Sequence, residues 1–115
     1  MRAVALPDEF KISVEDGDGA TIVRVSGEVD LASNEQLAER LKSAAAGGEA
    51  VIVDLSACTF IDSSGIRALL LGEREAKKFA LAGPSEQVMR VLEMTGVGQA
   101  MPIRDSVDAA REAAG

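Results

Sequence analysis

The segment Phe10-Lys11-Ile12-Ser13-Val14 alternates apolar and polar residues, and Ile22-Val23-Arg24-Val25-Ser26 carries a similar pattern. A period of two places successive side chains on opposite faces of a strand, and the intervening Glu15-Asp16-Gly17-Asp18-Gly19 is a turn-forming cluster, so the two runs predict a hairpin. The period then changes. Leu37, Leu41, Ala44 and Ala45 recur at helical spacing, opened by Ser33-Asn34-Glu35-Gln36 with capping-box spacing and stopped by Gly47-Gly48. Val51-Ile52-Val53-Asp54-Leu55 is nearly all apolar and β-branched, the pattern of a strand covered on both faces at the centre of a sheet.

From Ser64 to about Lys77 strong helix formers run without proline, although Gly72 weakens the helix they predict. Lys78-Phe79-Ala80-Leu81-Ala82 reads as a short strand closed by Gly83-Pro84. Ser85 then caps a third helix with Val88, Val91 and Leu92 on one stripe, ending at Thr95-Gly96. Met101-Pro102-Ile103-Arg104 fits a short edge strand, where proline is tolerated, and Asp105-Ser106 caps a final helix through Val107 and Ala110. A hairpin followed by alternating helices and strands predicts an α/β fold. Its expected form is a small mixed β-sheet of four to five strands flanked by about four α-helices, with residues 1–9 a flexible N-terminal segment and 10–115 a single domain.

Composition narrows the function. The 115 residues are 47% hydrophobic, enough for one core, and 12 Lys+Arg against 19 Asp+Glu give a net charge of −7. That charge opposes a grip on phosphate backbones or anionic lipid, so neither direct DNA binding nor membrane insertion is expected. The apolar stretch near Met1 is too short for a signal peptide and no 18 apolar residues run together, which reads as a cytoplasmic protein. Histidine is absent. Its loss removes the usual general base, the commonest metal ligand and every Ser-His or Cys-His pair, so no catalytic residue, metal or cofactor is expected and the chain is not read as an enzyme. The lone Cys58 lies in the run Ala57-Cys58-Thr59-Phe60, where a buried small side chain is the simplest reading.

The unusual stretch is Phe60-Ile61-Asp62-Ser63-Ser64-Gly65-Ile66, a carboxylate and two hydroxyls set immediately before an apolar helical turn. One reading is capping, since Asp and Ser accept the orphan N–H groups of a first turn. A second, the aspartic protease signature, fails because an extra serine breaks the spacing and no second copy supplies the paired carboxylate. The third is a switch in which a hydroxyl at the helix N-terminus carries a phosphate. Downstream, Leu69-Leu70-Leu71 sweep roughly 200° of the helix, wider than one core-facing stripe. Some leucine is therefore expected to face outward, either as a partner surface or beneath the C-terminal helix.

Four ordered motifs now carry a resemblance. Gly27-Glu28-Val29-Asp30, Val53-Asp54-Leu55-Ser56, Phe60-Ile61-Asp62-Ser63-Ser64-Gly65-Ile66, and Gly83-Pro84-Ser85 with Val91-Leu92-Glu93-Met94-Thr95-Gly96 resemble the STAS domains of bacterial anti-anti-sigma factors, the anti-sigma factor antagonists. The resemblance covers about residues 10 to 112. It implies a protein that binds an anti-sigma factor when unphosphorylated and frees the sigma factor for transcription. It further implies that Ser64 is phosphorylated by that anti-sigma factor serine kinase and reset by a PPM-type serine phosphatase. The implied partner-binding residues are Asp30, Asp62, Ser63, Gly65, Ile66, Arg67 and Leu70. One departure stands out: Arg74-Glu75-Ala76-Lys77-Lys78 runs almost directly into Phe79, where the family usually has a longer helix and a Gly-Gly turn. Either the helix ends early, near Gly72 to Glu75, or the strand register shifts.

Two other functions compete. A receiver-like phosphoacceptor domain would use Asp54 at the end of its strand, but needs an acidic pair after the first strand to hold Mg²⁺; Glu15 and Asp16 are there, yet a strand follows instead of a helix. A STAS scaffold subunit of a stress-sensing or transporter complex often lacks the phosphorylatable serine, whereas Ser63 and Ser64 are both present.

Overall fold

The computed structural model describes residues 9–17, 19–47 and 50–114. Most of the expected flexible segment, Asp18 of the hairpin turn and Gly48 of the helix stop lie outside the described residues. In chain order the elements are β1 (Lys11–Gly17), β2 (Ala20–Val29), α1 (Asn34–Ala46), β3 (Ala50–Ile61), α2 (Ser63–Glu75), β4 (Phe79–Ala82), α3 (Glu86–Thr95), β5 (Ile103–Arg104) and α4 (Val107–Ala114). The strands form one mixed sheet in the order β1-β2-β3-β4-β5. β1 and β2 are the antiparallel hairpin, and β2 through β5 run parallel.

The apolar run at residues 51–55 sits in the central strand with both faces covered, as its lack of alternation requires. On one face Val51, Val53 and Leu55 pack with Val23, Val25 and Leu81 against Leu37 and Leu41 of α1, Leu69 of α2, and Val88 and Leu92 of α3. On the other, Ile52 joins Ile22, Ala80 and Ala82 against Ala110 and Ala114 of α4. Small residues on both sides of this second layer let α4 lie close to the sheet. Gly72 has a comparable purpose. A Cβ there would meet Leu41 Cβ at 3.1 Å, so the residue that weakens α2 as a helix also lets α1 approach it closely.

Two features differ from the sequence reading, and one choice that it left open is decided. β3 has 12 residues and not five, because its outer half continues to pair with β2 through two register shifts; Gly27, with φ +82°, sits at the second. Such irregular pairing erases the alternation that would have announced it. α2 ends at Glu75, and the extended Ala76 leads to β4, so the short connection is accommodated by early termination of the helix. Ser33 does not cap α1 with its side chain. Its backbone is already near-helical, and its buried Oγ instead accepts from Asp30 N–H at 3.0 Å and donates to the Glu28 carbonyl at 3.2 Å. Ser85 and Ser106 do cap, accepting from Val88 N–H and Ala109 N–H at 3.2 and 3.1 Å.

Candidate functional site

Because β2, β3 and β4 are parallel, the turns that leave them gather on one side of the sheet, where open α/β folds place their binding sites. Those turns carry Asp30, Asp62 and Ser85. The ends of β2 and β3 are level: Val29 pairs with Ile61, and Asp62 N–H donates to the Val29 carbonyl at 3.1 Å. β4 stops seven residues short of the end of β3, at Ala82 opposite Asp54, so α3 begins beside the outer half of β3. Ser85 Oγ there lies 3.5 Å from the Cys58 carbonyl.

Asp62 is the N-cap of α2, in extended backbone conformation. Its Oδ1 accepts Ser64 N–H at 3.0 Å, Gly65 N–H at 3.1 Å and the Ser64 hydroxyl at 2.6 Å. Capping and the candidate phosphoacceptor are therefore not alternatives; one carboxylate oxygen serves both. The hydroxyl bond has the short length of a charge-assisted contact, and it is the largest reason that the carboxyl is held below its ordinary range; desolvation opposes it, and the backbone donors add smaller lowering effects. Ser63 is exposed and Ser64 half-buried.

The glycine after Ser64 has a packing role. A Cβ at Gly65 would fall 2.6 Å from Ile61 Cγ1 and 2.8 Å from Val29 Cγ1, so only glycine lets the first turn of α2 rest on the ends of β2 and β3. Beside this turn Asp30 is exposed, and its Oδ1 accepts Ala32 N–H at 3.0 Å and Ser33 N–H at 3.2 Å, which closes the loop after β2 as an Asx turn.

Not every residue expected at a partner surface lies on one. Gly65 and Ile66 are buried, and Ile66 belongs to the core, so its side chain offers no outward apolar contact. Leu70 is half-buried and packs against the same core; the outward leucine is Leu71, 48% exposed. The direction of α2 decides this, since its seam follows Ile66 and Leu69. Arg67 is exposed, and with Leu70, Leu71 and Arg74 it lines a shallow cleft of about 440 Å³. Two apolar residues flanking the site were missed: Leu31, 78% exposed after Asp30, and Phe60, 39% exposed before Asp62. Leu31 carried a signal, a large apolar residue inside a polar turn. Phe60 carried none, because it lies in the irregular half of β3.

Other chemistry is elsewhere or occupied. A larger cleft of about 830 Å³ runs along β1 and α1 past Phe10, Ile12, Val25 and Arg40, with no residue of the Asp62 turn in its lining. Arg24 pairs with Glu15 and reaches Asp54 at 3.5 Å, so a guanidinium lies between the carboxylates that a receiver would use for Mg²⁺. Cys58 is buried; burial pushes its thiol up to about 11, against a smaller lowering effect of the Phe60 backbone. Among the described residues no helix is long and apolar enough to cross a membrane.

Two outcomes follow for the turn itself. Gly65→Ala gains about 1 kcal/mol of helix propensity but must displace two core side chains; the net expectation is a loss of about 1–2 kcal/mol, read as a lower urea midpoint. An unchanged midpoint would mean that α2 does not need this close approach. Asp62→Asn removes a charge whose folded-state pKa is depressed. The stability that charge contributes is present above the ordinary carboxylate range and is lost as pH falls through the lower folded-state value. The stability gap between wild type and Asp62→Asn should therefore be largest near neutrality and close in acid; a gap independent of pH would contradict the assignment.

The fold and its ordered motifs have counterparts. The STAS domain family model matches residues 11–110. The anti-sigma F factor antagonist of Paenibacillus polymyxa is 29% identical over 103 residues, covering 84% of this chain and 88% of that protein. The anti-sigma-F factor antagonist RsfB of Mycobacterium tuberculosis is 26% identical over 98 residues, covering 82% of this chain and 80% of its own length. Among solved structures, an anti-sigma factor antagonist from Mycobacterium paratuberculosis superposes with a TM-score of 0.87 at 29% identity, covering 96% of this chain and 98% of that one. With the family model matched over nearly its whole length, the chain belongs to the STAS domain family.

Proposed function

We propose that this protein is an anti-sigma factor antagonist, switched off by phosphorylation of Ser64. The observation that carries the proposal is the 2.6 Å bond from the Ser64 hydroxyl to Asp62 on an accessible turn, in a chain whose relatives bear that function in their names. In this reading the partners are an anti-sigma factor serine kinase and a PPM-type serine phosphatase. The protein is their substrate and binding partner, not a catalyst. It acts on transcription through the anti-sigma factor, without touching DNA. Asp30, Ser63, Arg67 and Leu71 form the exposed contact surface around the switch, with Leu31 and Phe60 as its apolar rim.

Phosphoryl transfer from the kinase's nucleoside triphosphate to Ser64 Oγ breaks the donor's terminal P–O bond and releases the nucleoside diphosphate, forms the new O–P bond and removes the hydroxyl proton. The ester oxygen can no longer donate to Asp62, and a group carrying about −1.5 to −2 charge now lies beside a carboxylate. Helix N-terminal amides usually welcome a phosphate, but here Asp62 Oδ1 already holds those of Ser64 and Gly65, so phosphate and carboxylate compete for the same donors. The fold survives, because Ile66 and Leu69 anchor α2 from the opposite side. Binding does not. A partner that covers the rim would have to desolvate an uncompensated dianion, which costs several kcal/mol.

The test is calorimetric titration of the anti-sigma factor into wild type, Ser64→Ala and the stoichiometrically phosphorylated protein. Ser64→Ala should bind about as tightly as wild type and resist the kinase, while the phosphorylated form should bind at least about a hundredfold more weakly, the equivalent of about 2.7 kcal/mol. Equal affinity of the phosphorylated and unphosphorylated forms would exclude the switch.

A further inference from the structure

Among the described residues β1 is one edge of the sheet, and its side chains are exposed apart from the half-buried Ile12. Which of its backbone groups are open can be read from its neighbours. The Gly19 carbonyl accepts Ala50 N–H of β3 at 3.3 Å, so by strand alternation the odd-numbered residues of β2 turn toward β3 and the even ones toward β1. Those even residues, Ala20, Ile22, Arg24 and Ser26, oppose Gly17, Glu15, Ser13 and Lys11. Opposed residues of an antiparallel pair exchange both hydrogen bonds or neither. Lys11, Ser13, Glu15 and Gly17 therefore bond within the sheet, and Ile12, Val14 and Asp16 present N–H and C=O groups to the open edge.

We propose that this edge docks a second copy of the chain, antiparallel and centred on Ser13, to give a continuous ten-stranded sheet. The open groups recur every second residue, which restricts two-fold registers to centres one residue apart, and charge selects among them. Centred on Ser13, Lys11 faces Glu15 of the second copy and Glu15 faces its Lys11, while Ile12 and Val14 face each other twice on the side of the sheet that packs with α1. Val14, 42% exposed, is covered by that pairing. Centred on Ile12, Glu9 would face Glu15; centred on Val14, Ile12 would face Asp16 and Lys11 would face Gly17. Lysine and acidic residues on an edge normally discourage pairing, but in this one register they become cross-strand partners. The contact is a single strand pair, smaller than the roughly 1,200 Å² of a stable specific interface, so association is weak and is sought at about 0.1–1 mM protein.

Sedimentation equilibrium on the full chain tests this, independently of any phosphorylation at Ser64. Wild type should show a reversible dimer. Lys11→Glu and Glu15→Lys should each raise the dimer Kd at least about tenfold, since both opposed pairs become like-charged. An equimolar mixture of the two variants should associate again, because every opposed pair is then Glu against Lys. Val14→Pro, which removes one open N–H at a site where an edge strand tolerates proline, should also abolish the dimer. Thermal melts establish that each variant is folded, which matters for Glu15→Lys because Glu15 also pairs with Arg24. A wild type that stays monomeric throughout, single variants that associate as wild type does, a mixture that does not associate, or a Val14→Pro dimer would each overturn the proposal.

Discussion

One carboxylate oxygen, Asp62 Oδ1, takes three hydrogen bonds at the start of α2: two from the backbone that the helix would otherwise leave unsatisfied and one from the Ser64 hydroxyl. The local structure depends on this convergence. It fixes where the helix begins, it holds Ser64 in a set position at a half-exposed turn, and it holds the Asp62 carboxyl below its ordinary range. A hydroxyl bound this way is well placed to report a change of state, since esterification removes the donated hydrogen and adds charge at the same point.

The cap is effective only because the fold brings it there. Val29 and Ile61 end their parallel strands side by side, and the absence of a side chain at Gly65 lets α2 start directly over them. From that point the helix runs with Ile66 and Leu69 inward and Arg67 and Leu71 outward. The same helix thus separates a rigid, core-anchored face from a solvent face that is free to bind. Gly72 continues the division by seating α2 closely against Leu41 of α1.

Regular stretches were legible in the sequence, and irregular ones were not. The hairpin, the central strand at Val51–Leu55 and the helices opened by Ser85 and Ser106 all follow from periodicity and caps that agree with one another. The outer half of β3 was invisible because its register shifts against β2 at Arg24/Ser26 and again at Gly27/Glu28, so no period survives there. Ser33 misled for another reason: capping-box spacing favours a cap but does not fix the side-chain rotamer, and its hydroxyl found Asp30 N–H and the Glu28 carbonyl instead. At the site, the order of Asp62, Ser63, Ser64 and Gly65 was readable, whereas the choice between Leu70 and Leu71 as the outward leucine required the direction of α2 against the sheet. The burial of Gly65 and Ile66 likewise depends on contacts with Ile61 and Val29 that no local pattern encodes.

If Ser64 is a switch built on Asp62, its phosphate should act where it sits, through charge and desolvation, and leave the core as it was. Backbone amide NMR spectra of the unphosphorylated and Ser64-phosphorylated protein examine that directly. Large shifts confined to the turn from Phe60 to Arg67 and the neighbouring Asp30 loop, with β4 and α4 unmoved, are the expected result. Shifts spread through β4, β5 and α4 would contradict it, and would mean that phosphorylation works by rearranging the fold.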